Sequence, residues 1–285
     1  MIRIEGLEYG SQQTIRSANG TAARLRSSLV TTEEARPGLA TGPPGRDTSS
    51  PLLDLRTIVT NSTETLVLIP TELELRRFED QGGLPAGLGA IELCGFGPIA
   101  AAARTAQILA SRKPARVLLI GIAGSYDIEK HPVGTALEFS VVSVDGIGAG
   151  EGETAKAPPA LGFPQWPGSP CTTPHPILDE ITLATDQGPE LLTTCAASDS
   201  PEHAALRRKR HPRAAAEDME GFAVAMACAL ADIPLRIVRG ISNEVGDREP
   251  ANWRIPLALG AARELATELL QSDSDWTTRA HQNQP

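Results

Sequence analysis

Residues 117–124, Val117-Leu118-Leu119-Ile120-Gly121-Ile122-Ala123-Gly124, decide the fold. Four large apolar side chains in a row, without polar alternation, read as a strand covered on both faces, the condition of a parallel sheet. Leu66-Val67-Leu68-Ile69 upstream has the same character and is followed by a helix-compatible stretch from Thr71 to Glu79. Ile91-Glu92-Leu93 then leads into Gly95-Phe96-Gly97, and Pro98 to Ala110 is an Ala-rich helix returning to 117–124. Strand, helix, strand, helix, strand is the order of an α/β domain with parallel strands and right-handed crossovers.

Downstream, Phe139 to Val144 is enriched in β-branched residues and predicts a further strand. Gly146 to Pro176 is rich in Gly and Pro and predicts a long loop, a feature usually functional or mobile in a compact domain. Leu191 to Cys195 is a strand candidate, Pro201 to Arg210 a short helix, and Ala214 to Ala216 a short strand running into Glu217, Asp218 and Glu220. Phe222, Met226 and Leu230 recur at fourfold spacing with no charge between Gly221 and Ala231, so that helix is expected to be buried nearly all round. Ile233 to Val238 predicts a strand, Gly240 to Asn252 a loop, and Trp253 to Gln271 an amphipathic helix.

The pattern predicts a single α/β domain over residues 65–272. Residues 1–64 mix Ser, Thr, Arg, Gly and Pro with few large apolar side chains, too little burial to offset ordering costs of about 1–2 kcal/mol per residue. They are expected to form a disordered extension, and residues 273–285 a polar tail. The 26 Lys and Arg against 35 Asp and Glu give a net charge of −9, which disfavours nucleic acid and anionic membranes as partners. The one basic run, Arg207-Arg208-Lys209-Arg210, lacks interleaved aromatics and reads as a solvated helix face. Four cysteines, at 94, 171, 195 and 228, form no C-x-x-C pair, so neither a disulfide framework nor a metal site is indicated. No apolar stretch is long enough to span a bilayer and no apolar signal core opens the chain, which makes a cytoplasmic protein the expectation.

Two constellations could carry chemistry. Gly95-x-Gly97-x-x-Ala100 lies between a strand and a helix as a dinucleotide fingerprint would, but Ala115 and Arg116 stand where a ribose-binding acid is expected. A cofactor is therefore not expected, and the glycines read as a tight turn or a close backbone approach to a ligand. Glu217-Asp218-Met219-Glu220 crowds like charges where a strand becomes a buried helix. Acids do favour helix N-termini, yet Glu220 opens an otherwise uncharged helix and should face inward or toward a cleft, where an acceptor-only carboxylate could grip two vicinal sugar hydroxyls.

Pro70-Thr71-Glu72-Leu73-Glu74, Cys94-Gly95-Phe96-Gly97, Gly121-Ile122-Ala123-Gly124, Asp218-Met219-Glu220-Gly221 and Arg239-Gly240-Ile241-Ser242-Asn243 occur in the order found in purine nucleosidases and phosphorylases. The succession covers about residues 65 to 272, and Gly240 to Arg248, with Trp253 beyond it, resembles the futalosine hydrolase branch. The resemblance implies a nucleoside phosphorylase-like fold, a central mixed, mostly parallel twisted sheet flanked by helices. It also implies a homo-oligomer acting on a small-molecule nucleoside, in menaquinone biosynthesis. Glu220 would hold the ribose with Met219 packed on the sugar, and Glu74 would activate water. Gly95, Gly97, Ala123 and Gly124 would line the substrate site.

Relatives acting on methylthioadenosine carry Asp where this chain has Asn243. An Asp can protonate N7 of adenine and accept from its 6-amino group. Hypoxanthine presents acceptors at both N7 and O6, to which a neutral amide can donate, so Asn243 favours a 6-oxopurine. Asn cannot supply a proton, which leaves water or nearby Asp247 as the source. Arg76, Arg77 and Arg104 keep a phosphorylase open as the alternative, a methylthioadenosine or adenosylhomocysteine nucleosidase being the next and a catalytically silent nucleoside-binding module the non-enzymic one. Phe163 and Trp166, in the long loop, are candidates to cover the far half of the nucleoside.

Overall fold

The computed structural model describes residues 64–169, 175–185, 187–272 and 276. The expected extension over 1–64 lies outside these residues apart from Glu64, and so does the tail over 273–285 apart from Trp276.

Nine strands among the described residues form one sheet. The first half of the domain runs β1 (Thr65–Ile69), α1 (Glu72–Asp80), β2 (Ala90–Leu93), α2 (Gly97–Arg112), β3 (Arg116–Ser125), β4 (Ala136–Phe139) and β5 (Val141–Asp145). It continues through β6 (Glu180–Thr182), β7 (Glu190–Thr194), α3 (Pro201–Arg210), β8 (Ala214–Asp218), α4 (Gly221–Leu230), β9 (Leu235–Glu244) and α5 (Ile255–Gln271). The path across the sheet is β2-β1-β3-β8-β7-β5-β6, with β9 pairing β3 and β4. The β1–β2, β1–β3, β3–β9, β5–β7 and β7–β8 pairs are parallel. The β3–β8, β4–β9 and β5–β6 pairs are antiparallel, so the sheet is mixed and mostly parallel.

The uninterrupted apolar runs bury both faces, as their composition requires. Leu66, Leu68, Val117 and Leu119 enter one core cluster with Ala101 and Ile108 of α2 and Val224 of α4. Val67, Ile69, Leu118 and Ile120 enter another with Phe78 of α1 and Ala262, Ala266 and Leu270 of α5. Successive side chains of a strand thus alternate between two helical layers, and seven of the ten residues of α4 are buried. On the underside, the Trp276 ring lies between the guanidinium groups of Arg116 and Arg236, at 4.6 and 4.9 Å from its centroid.

The structure corrects the sequence reading at four places. Gly240 to Asn243 belongs to strand β9, not to a loop. A Cβ on Gly240 would stand 2.0 Å from the Ala258 carbonyl oxygen, so glycine here admits α5 against the sheet and does not end the strand. The stretch 139–144 breaks at Ser140 into β4 and β5, which pair with different partners, β9 and β7. Helix α5 starts at Ile255, after a short 3₁₀ turn at Pro250–Asn252. Finally, the basic run is not wholly solvated: Arg207 is buried and reaches Asp145 through Nε at 3.0 Å and Glu217 through Nη1 at 3.4 Å. Arg208 and Lys209 stay on the surface, Lys209 paired with Glu153.

Candidate active site

The carboxyl ends of β1, β3, β8 and β9 open onto a cleft of about 310 Å³. Glu74, Ala123, Gly124, Met219, Glu220 and Asn243 all line it, so the two parts of the expected site, sugar-facing and base-facing, share one cavity. Thr71, Phe96, Ser198, Glu217, Arg248 and Trp253 complete much of the wall.

Glu74 is placed by the start of α1. Thr71 caps the helix, its hydroxyl accepting from the Glu74 N–H at 3.2 Å and donating to Glu74 Oε2 at 2.7 Å, a capping-box arrangement. Glu74 Oε1 accepts from the Ile122 N–H at 3.1 Å. The side chain is thereby held over the end of β3, where burial raises its pKa and Arg239, Thr71 and Ile122 oppose that rise. A carboxylate fixed by two donors, its proton affinity raised by burial, can serve as a general base.

Glu220 sits at the junction of β8 and α4. Its Oε1 accepts from the Gly97 N–H at 2.9 Å, and its Oε2 lies 3.4 Å from Arg239 Nη2. This contact explains the glycine turn: Gly95 and Gly97 both have positive φ, and a Cβ on Gly95 would come to 3.0 Å of the Ala100 Cβ. The close backbone approach allowed by these glycines serves a carboxylate of the chain itself. Gly95 and Gly97 therefore shape the site from behind and do not line the cleft. Burial pushes Glu220 up to about 7, Asp218 and Glu74 adding repulsion, while Arg239 and the Gly97 N–H hold it back.

Arg239, fully buried on β9, is the group that makes this crowding tolerable. Its Nε and Nη2 donate to Asp218 Oδ2 at 3.0 and 2.5 Å, and Asp218 also accepts from the Thr193 hydroxyl and the Gly221 N–H. Asp218 thus satisfies the first N–H of α4, the helix-terminus role that acids often take, while Glu220 is left to face the cleft. Arg239 Nη1 makes no hydrogen bond, and it lies where a Cβ on Gly121 would approach it to 2.0 Å. A lone arginine inside Ile237-Val238-Arg239-Gly240-Ile241 was the available signal for buried carboxylates, since an unpaired guanidinium cannot be buried cheaply.

Asn243 Oδ1 accepts from the Ser242 hydroxyl at 2.7 Å, and one amide N–H is spent on the Glu244 carbonyl at 2.7 Å. These two contacts fix the amide with its nitrogen as donor and leave the second N–H for a ligand. Asp247 does not join the cleft. Its carboxylate accepts from the Glu249 N–H and the Asn252 side chain, which lower its pKa, so it braces its own loop.

Phe163 is 71% exposed and does not line the cleft, and Trp166 instead forms a bridge with Ile177 and packs on the core. Arg76, Arg77 and Arg104 point away as well, paired with Glu72, Asp80 and Glu92 on the surface. Among the described residues lining the cleft, the only cationic side chain is Arg248, stacked 4.9 Å from the Trp253 ring centroid. None of the three arginines that kept phosphate binding open is in position for it.

A mixed α/β sheet whose strand ends hold paired carboxylates, with an amide across the cleft, defines the class: the chain belongs to the phosphorylase superfamily, whose family model matches residues 86–272. Within that class it groups with the futalosine hydrolases. It is 31% identical to the futalosine hydrolase of Thermus thermophilus over 227 residues, covering 73% of this chain and 96% of that protein. It is 35% identical to that of Streptomyces coelicolor over 188 residues, 64% of this chain and 78% of the relative. A 5'-methylthioadenosine/S-adenosylhomocysteine nucleosidase from Psychromonas ingrahamii is 27% identical over 219 residues, 74% of this chain and 90% of that enzyme. The fold is shared with the solved futalosine hydrolase of Helicobacter pylori, at a TM-score of 0.55 and 15% identity over 73% of this chain and 97% of that one.

Proposed function

We propose that this protein hydrolyses the N-glycosidic bond of futalosine, releasing hypoxanthine and leaving the ribose end of the molecule intact for menaquinone biosynthesis. Breaking such a bond builds positive charge on the sugar as the base departs with the electron pair. Glu220 grips the ribose hydroxyls and Met219 packs on the ring. Glu74 orients a water on the face opposite the base and takes its proton as the oxygen bonds to C1′. Asn243 donates to the departing hypoxanthine, which receives its proton from solvent.

The observation that carries this reading is that Glu74, Glu220 and Asn243 line a single cleft, whereas Arg76, Arg77 and Arg104 are paired on the surface away from it. Incubation of the purified protein with futalosine, inosine and methylthioadenosine, with and without phosphate, tests it. Free hypoxanthine from futalosine without phosphate is the expected result. A strict phosphate requirement with formation of a sugar 1-phosphate would make it a phosphorylase, and preferential release of adenine would make it a methylthioadenosine nucleosidase.

A further inference from the structure

Arg248 has no part in the chemistry above, yet it is the one cationic side chain among the described residues lining the cleft. The acids on either side of it do not neutralise it. Asp247 accepts from the Glu249 N–H and from the Asn252 amide, both at 2.9 Å, and Glu249 Oε1 accepts from the Ala251 N–H at 3.3 Å. Both carboxylates are thus spent on the turn before α5. The guanidinium instead lies 4.9 Å from the ring centroid of Trp253, whose indole N–H donates to the Asp247 carbonyl at 3.1 Å. Stacking uses the flat face of the guanidinium and leaves its in-plane N–H donors unspent. An exposed arginine steadied by an aromatic ring, and paired with no carboxylate among the described residues, is suited to a planar anion met edge-on.

The surroundings of Arg248 identify what carries that anion. Leu73, Phe96, Trp253 and Ile255 line the same cleft. Leu73 precedes Glu74, and Phe96 precedes Gly97, whose N–H holds Glu220, so this apolar rim borders the groups assigned to water and ribose. Leu73 and Phe96 are 57% and 66% exposed, large apolar side chains left uncovered at the mouth. With the base at Asn243 and the hydroxyls at Glu220, the ribose substituent that remains is the one at C5′, and the rim with Arg248 is the part of the cleft left to receive it. Apolar surface ending in a cation matches an apolar or aromatic arm ending in a carboxylate. Phe163 and Trp166, the aromatics expected to cover this half of the nucleoside, are not in the cleft wall.

We infer that Arg248 is a specificity-determining residue that binds a carboxylate at the far end of the substrate's C5′ arm, the arm itself lying on Phe96 and Trp253. This rests on the proposed nucleosidase activity and adds the means by which a long anionic nucleoside is chosen over inosine. Futalosine ends in a benzoate, its methyl ester has the same arm without the charge, and inosine ends in a hydroxyl. The test measures kcat/KM for all three, with and without phosphate, in the wild type and in Arg248→Met, which keeps an apolar stem on Trp253 and removes the donors. The wild type should prefer futalosine over its ester by about 10- to 100-fold, the range of charge-assisted hydrogen bonds, and R248M should lose most of that preference. On the substitution futalosine should also lose about tenfold more than inosine. An ester cleaved as well as the acid by the wild type, or a preference that survives in R248M, would overturn the inference. So would a loss in R248M confined to phosphate-dependent cleavage, which would make inorganic phosphate the anion that Arg248 binds. Should the wild type cleave none of the three, calorimetric binding separates the two readings. Acid bound about tenfold more tightly than ester, with the gap closed in R248M, keeps the assignment and refutes the hydrolase alone, and equal affinities overturn it.

Discussion

Gly121 lacks a side chain at the place where Arg239 passes beneath it: a Cβ would fall 2.0 Å from Arg239 Nη1 and 2.8 Å from Glu74 Oε1. One missing methyl group therefore sets the positions of both the buried cation and the carboxylate assigned to water. Gly121→Ala should displace both, costing about 1–3 kcal/mol of stability by overpacking and roughly 100-fold in kcat through misplacement. Urea unfolding and steady-state kinetics on futalosine measure the two effects.

Glu74→Gln keeps the shape and removes the base. Turnover should fall by about 10²–10⁴ with KM little changed, because the lost interaction belongs to the transition state. An unaltered kcat would remove Glu74 from the reaction.

The acid limb of the pH–rate profile should reflect the carboxylate cluster. Glu220 must be ionised to accept from sugar hydroxyls and is pushed up to about 7 by burial, with repulsion from Asp218 adding to it, so kcat/KM should fall as pH drops below about 7. Asp218→Asn removes that repulsion and frees Arg239 for Glu220, which should move the limb to lower pH. Stability has the opposite sign. A carboxyl raised in the folded state favours folding fully below the unfolded value and loses that contribution as pH rises through the folded one. Thermal melts between pH 4.5 and 7 should thus show this group's contribution declining as pH rises.

Within the basic run of α3, neighbouring residues should behave very differently. Arg207→Ala leaves the buried Glu217 without a cation, Asp145 keeping Arg210 and His211, and should cost about 3–5 kcal/mol, whereas Lys209→Ala breaks an exposed pair worth about 0–1 kcal/mol. Denaturant midpoints of the two variants provide the comparison.

This contrast shows where sequence reading reaches its limit. The runs 66–69 and 117–120 identified the two-sided sheet because unbroken apolar strands require cover on both faces. The acids of 217–220 announced a site because like charges at a buried helix start need compensation. Arg239, alone in an apolar strand, was a legible partner for Asp218 and Glu220, but which member of the basic run reaches Glu217 was not, since Arg207 and Lys209 are set apart by the direction each faces from α3. Gly240 read as the start of a loop, because the helical carbonyl that fills the space beside it comes from residue 258. The network around Glu217 was not legible for a related reason: its partners Tyr126, Ser198 and Arg207 belong to three separate segments.

Arg239 serves Asp218 directly, lies near Glu220, and is shared electrostatically with Glu74. With three acids answering to one guanidinium, the local potential favours an incoming cation over a neutral ring. An iminosugar, whose ring nitrogen is protonated at neutral pH, should consequently out-compete the corresponding ribose compound by a margin that narrows as the acids take up protons.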